Sequence, residues 1–136
     1  MKKLLLQAGH YVTPSGDVAS GDIGIEQGKI SFCGEGPPGW QAAETIDCRN
    51  KLIVPGFINA HTHAAMTLFR SYADDMALMD WLQKKIWPAE AKLTEEDVYW
   101  GTQLAIAEML ASGTTAFVDM YFFMDQVAKA CIETGM

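Results

Sequence analysis

The sequence predicts an α/β protein that begins with a strand-rich segment and continues into parallel βα units. Three observations carry this. Residues 1–51 break into short alternating stretches separated by Gly- and Pro-rich turns, the pattern of antiparallel strands. Two later runs, Leu52–Ala60 and Thr114–Met120, are apolar without alternation, as in strands buried on both faces of a parallel sheet. Helical periodicity fills the space between those runs and resumes after the second, giving the strand, helices, strand, helix order of βαβ units.

Taken in order, Met1-Lys2-Lys3-Leu4-Leu5-Leu6 reads as a first strand, because Gln7 and His10 interrupt it before a cleavable signal's apolar stretch of roughly 7 to 15 residues is reached. Ile23 and Ile25 alternate with Asp22, Gly24 and Glu26, Gln27-Gly28 turns the chain, and Ile30 and Phe32 alternate with Lys29 and Ser31. That is a hairpin with one apolar face. So few strands cannot both build and cover a sandwich, so residues 1–51 are expected to be the N-terminal half of one. Leu52–Ala60 opens the second segment, 52–136, as one buried strand. Residues 78–87 follow as a helix on Leu78, Trp81, Leu82 and Ile86, ended by Pro88 through its missing donor and its clash with the preceding turn. Thr94-Glu95-Glu96-Asp97 resembles a capping box and starts a helix running through Leu104, Ala107 and Leu110 to Gly113 as its stop. Asp125–Gly135 is a final short helix. A closed eight-stranded barrel takes roughly 250 residues, so 52–136 is expected to hold only its first two or three βα repeats.

Composition narrows the partners. Of 136 residues, 49% are hydrophobic and 20% charged, which suits a packed core and excludes a disordered chain. Seventeen acidic against ten basic residues give a net charge of −7, the wrong sign for nucleic acid or an anionic membrane surface. No apolar run approaches the roughly 20 residues of a membrane helix, so a soluble chain is expected. Cys33, Cys48 and Cys131 are odd in number and form no CxxC pair, which argues against a disulfide framework or thiolate zinc site and favours a reducing cytoplasm.

The chemistry concentrates at His61-Thr62-His63, at the carboxyl end of the first buried strand. In extended chain, residues i and i+2 point to the same side, so both imidazoles can grip one cation while Thr62 points away. Neutral imidazole is a good zinc ligand at roughly 2.0–2.1 Å, and barrel enzymes place their sites at this end of their strands.

Pro55-Gly56-Phe57-Ile58-Asn59-Ala60-His61-Thr62-His63 resembles the first-strand signature of the amidohydrolase superfamily. Further blocks are similar to the 5-methylthioadenosine/S-adenosylhomocysteine deaminases and their chlorohydrolase-like neighbours: Met66–Arg70, Ala73-Asp74-Asp75, Trp81-Leu82, Ile86-Trp87-Pro88-Ala89-Glu90, Ala107–Leu110, Ser112–Thr115 and Phe117–Phe122. The resemblance spans essentially the whole chain. It implies the start of a metal-dependent hydrolase TIM barrel and half of a small β-sandwich, both incomplete here, with His61 and His63 as ligands of one divalent metal, Zn2+ or alternatively Fe2+. It also implies that the remaining ligands and the proton-shuttling residues lie outside these 136 residues, leaving no catalytic residue to assign and an inactive chain when alone. For the intact protein it implies hydrolytic deamination of an adenosine-type nucleoside and a homo-oligomer.

The resemblance further implies that Glu90 accepts hydrogen bonds from the ribose 2′ and 3′ hydroxyls, and that Trp81 walls the substrate pocket. Spacing alone favours a solvated carboxylate after Pro88 for Glu90, and for Trp81 fits a core aromatic equally well. Asp119 is expected to make a structural hydrogen bond, Arg70, Asp74 and Asp75 a local ion pair or cap, the methionines such as Met66 and Met120 packing contacts, and His10 a surface position. Two other outcomes stay open: a related hydrolase acting on another ring, such as guanine or a triazine, and a noncatalytic truncated product.

Overall fold

The computed structural model of the chain describes residues 2–136, which divide at Pro55/Gly56 into two compact units. The first unit is a five-stranded sheet. Its central strand β1 (Leu4–Val12) pairs antiparallel with β2 (Val18–Glu26) on one side, from Leu4↔Ile25 to Val12↔Val18. On its other side it pairs in parallel with β4 (Glu44–Asp47) and then β5 (Leu52–Ile53). β3 (Lys29–Gly34) lies outside β2, joined by the expected hairpin turn. Gln27 and Gly28 both have positive φ, 54° and 74°, the type I′ geometry that matches the twist of two antiparallel strands.

The hairpin's apolar face is not the one the alternation predicts. Ile25 pairs with Ile30, but Gly24 pairs with Phe32, because the register slips by one residue between Gly24 and Ile25. Opposed residues share a face, so the bulge carries Phe32 to the side of Gly24, away from Ile23 and Ile25. There its ring fills the space a Cβ on residue 24 would need and meets Trp40 edge-on at 5.0 Å. Ile23 is buried, Ile25 half-buried, and Ile30 is 64% exposed, so the sheet's apolar residues are only partly covered.

The apolar run Leu52–Ala60 is two strands rather than one. Leu52 and Ile53 complete the first sheet, Val54-Pro55-Gly56 breaks the ladder, and β6 (Phe57–Thr62) begins the second unit. Proline removes a ladder donor and the glycine following it bends freely, which is why the run divides at that point. β6 pairs in parallel with β7 (Thr114–Asp119). Among the described residues β6 has no second strand neighbour, and Phe57 and Ile58 are 61% and 70% exposed rather than buried on both faces.

Between β6 and β7 come a 3-10 helix (Ala64–Phe69), α1 (Leu78–Trp81), a π-helical turn (Leu82–Ile86), α2 (Trp87–Glu90) and α3 (Glu95–Ala111). Pro88 does not end the helix that starts at Leu78. The wide turn precedes it, with the Trp87 N–H reaching back to the Leu82 carbonyl, and Pro88 sits in the first turn of α2, where a missing N–H costs nothing. The consequence is angular. Nine residues of unbroken α-helix would set Trp81 and Glu90 on opposite sides, about 180° apart. The π turn takes up roughly one residue and brings them to within about 80°.

α3 starts on the expected capping box: Asp97 N–H donates to Thr94 Oγ1 at 3.3 Å, and Thr94 N–H to Asp97 Oδ2 at 2.8 Å. It stops at Gly113, whose φ of 86° continues past Ser112 where a Cβ would be strained. Its buried face is Val98, Gly101, Thr102, Ala105 and Ile106, an i, i+3, i+4, i+7, i+8 stripe. Leu104 and Leu110, the residues the periodicity favours, are 45% and 46% exposed. The inward stripe is small because the 3-10 helix lies close against it: a Cβ on Gly101 would stand 2.7 Å from the Ala65 carbonyl oxygen. α4 (Met124–Thr134) closes the unit, and Ala65, Val98 and Val127 form a core packed by Leu93, Phe117, Tyr121 and Cys131. No described helix is long and apolar enough to cross a membrane.

Candidate functional site

The ends of β6 and β7 lie side by side, Thr62 opposite Asp119, so the residues just beyond them share one rim. His61 is exposed and His63 half-buried, with ring centroids 5.4 Å apart at an interplanar angle of 77°. Two imidazoles bound to one tetrahedral ion at roughly 2.0–2.1 Å would have centroids about 5.2 Å apart, so the pair has the spacing a shared cation needs. Both line a recess of about 190 Å³ with Asp119 and Met120.

The tautomer of His63 follows from its partner. Nδ1 lies 2.7 Å from the Met120 carbonyl oxygen. A carbonyl only accepts, so Nδ1 carries a proton, and in the neutral ring the lone pair is then on Nε2, the tautomer a metal ligand requires. Asp119 makes the structural bonds its position suggests: Oδ1 accepts from the Ala64 N–H at 3.2 Å and the Met120 N–H at 2.9 Å. The residue after His63 and the residue whose carbonyl holds His63 are thus tied to one carboxylate. Its other oxygen is buried without a hydrogen-bond partner. Among the described residues no three His, Cys, Asp or Glu side chains converge on one point, so the pair offers two of the four ligands of a tetrahedral zinc site.

A second recess of about 310 Å³ adjoins His63, and its walls include Met66, Trp81, Glu90, Tyr121 and Phe122. His63, Trp81 and Glu90, far apart in sequence, therefore face one cleft, with His61 in the neighbouring recess. Glu90 is half-buried, and its Oε1 accepts from the Tyr121 hydroxyl at 2.9 Å. Burial, then the Glu90 carboxylate, pushes the Tyr121 phenol well above its ordinary value, so it stays a donor. Met66 and Met120 line the rim of the cleft rather than serving only as core packing. Arg70 makes no pair with Asp74 or Asp75; it forms a bidentate bridge to Glu108 of α3 at 2.9 and 2.6 Å. His10 is at the surface, bonded to Ser20. Sequence reasoning missed Tyr121 as a site residue. The available signal was its place two residues past Asp119, on the same rim as the histidines.

Residues 52–136 match the amidohydrolase family, and the chain belongs to it. It is 50% identical over 137 residues to a 5-methylthioadenosine/S-adenosylhomocysteine deaminase of Desulforudis audaxviator, covering 98% of this chain and 32% of the relative. It is 56% identical over 122 residues to a 5′-deoxyadenosine deaminase of Methanosarcina barkeri, covering 89% and 28%. Among solved structures, an adenosine deaminase from Xanthomonas campestris with bound zinc superposes with a TM-score of 0.88 at 39% identity, over 98% of this chain and 32% of that one. The chain thus spans about a third of the length of the curated relatives it matches.

Proposed function

We propose that this chain supplies the first metal-binding strand and part of the nucleoside pocket of a divalent-metal-dependent hydrolytic deaminase, in a protein of its relatives' length. The reaction converts an adenosine-type nucleoside, such as 5-methylthioadenosine, S-adenosylhomocysteine or adenosine, with water to the inosine analogue and ammonia. The observation that carries this reading is the shared cleft, in which the pair-forming His63 stands beside Trp81 and Glu90. The names of the relatives support the substrate class.

The divalent ion, zinc by preference, when bound supplies Lewis acidity that lowers the pKa of water toward 7. His61 and His63 hold it through ring nitrogens and move no protons, and the Met120 carbonyl keeps the His63 proton on Nδ1, away from the ion. Glu90 orients the substrate by accepting from the ribose hydroxyls, since a carboxylate can take two adjacent donors. Trp81 walls the cleft with an apolar surface that excludes water from the base. A ring without a ribose, such as guanine or a triazine, offers Glu90 no diol. The three free thiols support a reducing, cytoplasmic setting.

Glu90→Gln in the complete protein tests the assignment. One acceptor oxygen becomes a donor, and losing a hydrogen bond to a charged group costs about 1.5–3 kcal/mol, roughly ten- to a hundredfold in kcat/KM. A 2′,3′-dideoxy nucleoside should be handled almost equally by wild type and variant, whereas His61→Ala should abolish turnover of both. An equal loss on both nucleosides with Glu90→Gln contradicts the ribose assignment.

A further inference from the structure

Tyr121 is held from three directions. The chain before it is fixed by Asp119, whose Oδ1 accepts from the Met120 N–H, and by the Met120 carbonyl, which accepts from His63. The chain after it enters α4 through Phe123, at a left-handed φ of 49°. The ring packs on the core of Ala65, Val98 and Val127 and stands 6.4 Å from the His63 ring. A phenol has one proton to donate, and here it goes to Glu90 Oε1 at 2.9 Å. Glu90 lies at the end of α2, a short helix after a π turn, and no other side-chain or backbone donor reaches its carboxylate among the described residues.

We infer that Tyr121 is a positioning residue for substrate recognition: its hydroxyl engages Glu90 Oε1 and fixes the carboxylate plane, leaving Oε2 to receive the cis-diol of a ribonucleoside. The inference rests on the reading of Glu90 as the diol acceptor and adds to it a device for selectivity. A glutamate side chain turning freely about its last bonds would present either oxygen, or none, to the hydroxyls; one anchored by a half-buried phenol presents the same oxygen each time. Ribonucleosides are thereby favoured over forms lacking the diol, and the favour depends on a hydroxyl group that does not itself touch the sugar. As a wall of the cleft alone, Tyr121 would act equally well as phenylalanine.

The test is a double-mutant cycle on the complete, metal-loaded protein, with 5′-methylthioadenosine and its 2′,3′-dideoxy counterpart as probes. Tyr121→Phe keeps the ring and removes the donor. It should raise KM for the ribonucleoside by roughly three- to tenfold, as expected for one hydrogen bond, with kcat changed less than about twofold. The dideoxy compound should change less than about twofold, and Tyr121→Phe should add almost nothing in a Glu90→Gln background, because the group it positions is already lost. Tyr121→Met, which fills the space without a donor, serves as the second variant should the first fold poorly, and thermal melting reports folding for both. Equal losses on the two nucleosides, or full additivity with Glu90→Gln, overturn the inference. If Glu90→Gln is selective for the diol and Tyr121→Phe has no effect, Tyr121 alone loses its role. If Glu90→Gln itself fails to distinguish the nucleosides, the reading of Glu90 falls and takes this one with it.

Discussion

Gly101→Ala sets two effects of known size against each other. In the middle of α3 the substitution should stabilise, since alanine exceeds glycine in helix propensity by about 1 kcal/mol. The structure opposes it. The new Cβ would stand 2.7 Å from the Ala65 carbonyl oxygen, 3.1 Å from the Ala65 Cα and 3.0 Å from the Leu68 Cγ. Two of these three are backbone atoms, so no rotamer change relieves them, and Ala65 is fully buried. The 3-10 helix must therefore retreat, which also weakens the 2.7 Å bond from the Thr67 hydroxyl to the Gly101 carbonyl. Overpacking of this kind costs about 1–3 kcal/mol, so with the propensity gain subtracted the net loss is about 0–2 kcal/mol, centred near 1. Urea unfolding of the complete protein should show a lowered midpoint at unchanged m. Because the retreating segment begins directly after His63, zinc affinity measured by competition with a chelator should fall as well. A midpoint above wild type would refute the close packing and show that α3 and the 3-10 helix are less tightly packed than described.

Three further outcomes are expected. Thr94→Ala removes the hydroxyl that accepts from the Asp97 N–H and should cost about 1 kcal/mol in unfolding free energy, whereas Thr94→Ser should stay near wild type. The Thr94 hydroxyl and backbone hydrogen bonds hold the Asp97 carboxyl below its ordinary value of 3.8, so its contribution to stability is present above that value and lost as pH falls through the lower folded one. Asp97→Asn should therefore flatten the acid limb of the stability profile; an unchanged acid limb would remove Asp97 from the cap. With two candidate ligands and no converging third among the described residues, the 136-residue chain by itself should bind zinc far more weakly than the complete protein and turn over no 5-methylthioadenosine, which equilibrium dialysis and an ammonia assay check.

Much of this arrangement is local, and local chemistry is legible in a sequence. Thr94 with Asp97 announces a helix start because both bonds close within four residues, and Gln27-Gly28 announces its hairpin because only a positive-φ pair follows the strand twist. His61-Thr62-His63 announces a candidate cation site because strand geometry alone puts both rings on one side. The features that escaped depend on a partner elsewhere. Phe32 changes face through a bulge that serves its packing on Gly24 and Trp40. The Pro88 rule fails because a π turn ahead of the proline absorbs the conflict, and that same turn rotates Glu90 toward the side of Trp81. α3 turns Thr102 and Ala105 inward and Leu104 outward because a second helix needs close approach, which a tally of apolar residues cannot reveal. Tyr121 becomes a site residue only when β7 is laid beside β6.

The most direct measurement of the proposed metal-dependent nucleoside deamination compares ammonia release by the complete protein from 5-methylthioadenosine and guanine with chloride release from a chlorotriazine. Each should be assayed as purified, after chelation and after reloading with zinc. Turnover of the nucleoside alone is expected, lost on chelation and restored by zinc. Turnover of guanine or release of chloride from the triazine in preference to the nucleoside, or nucleoside deamination indifferent to chelation, would contradict it.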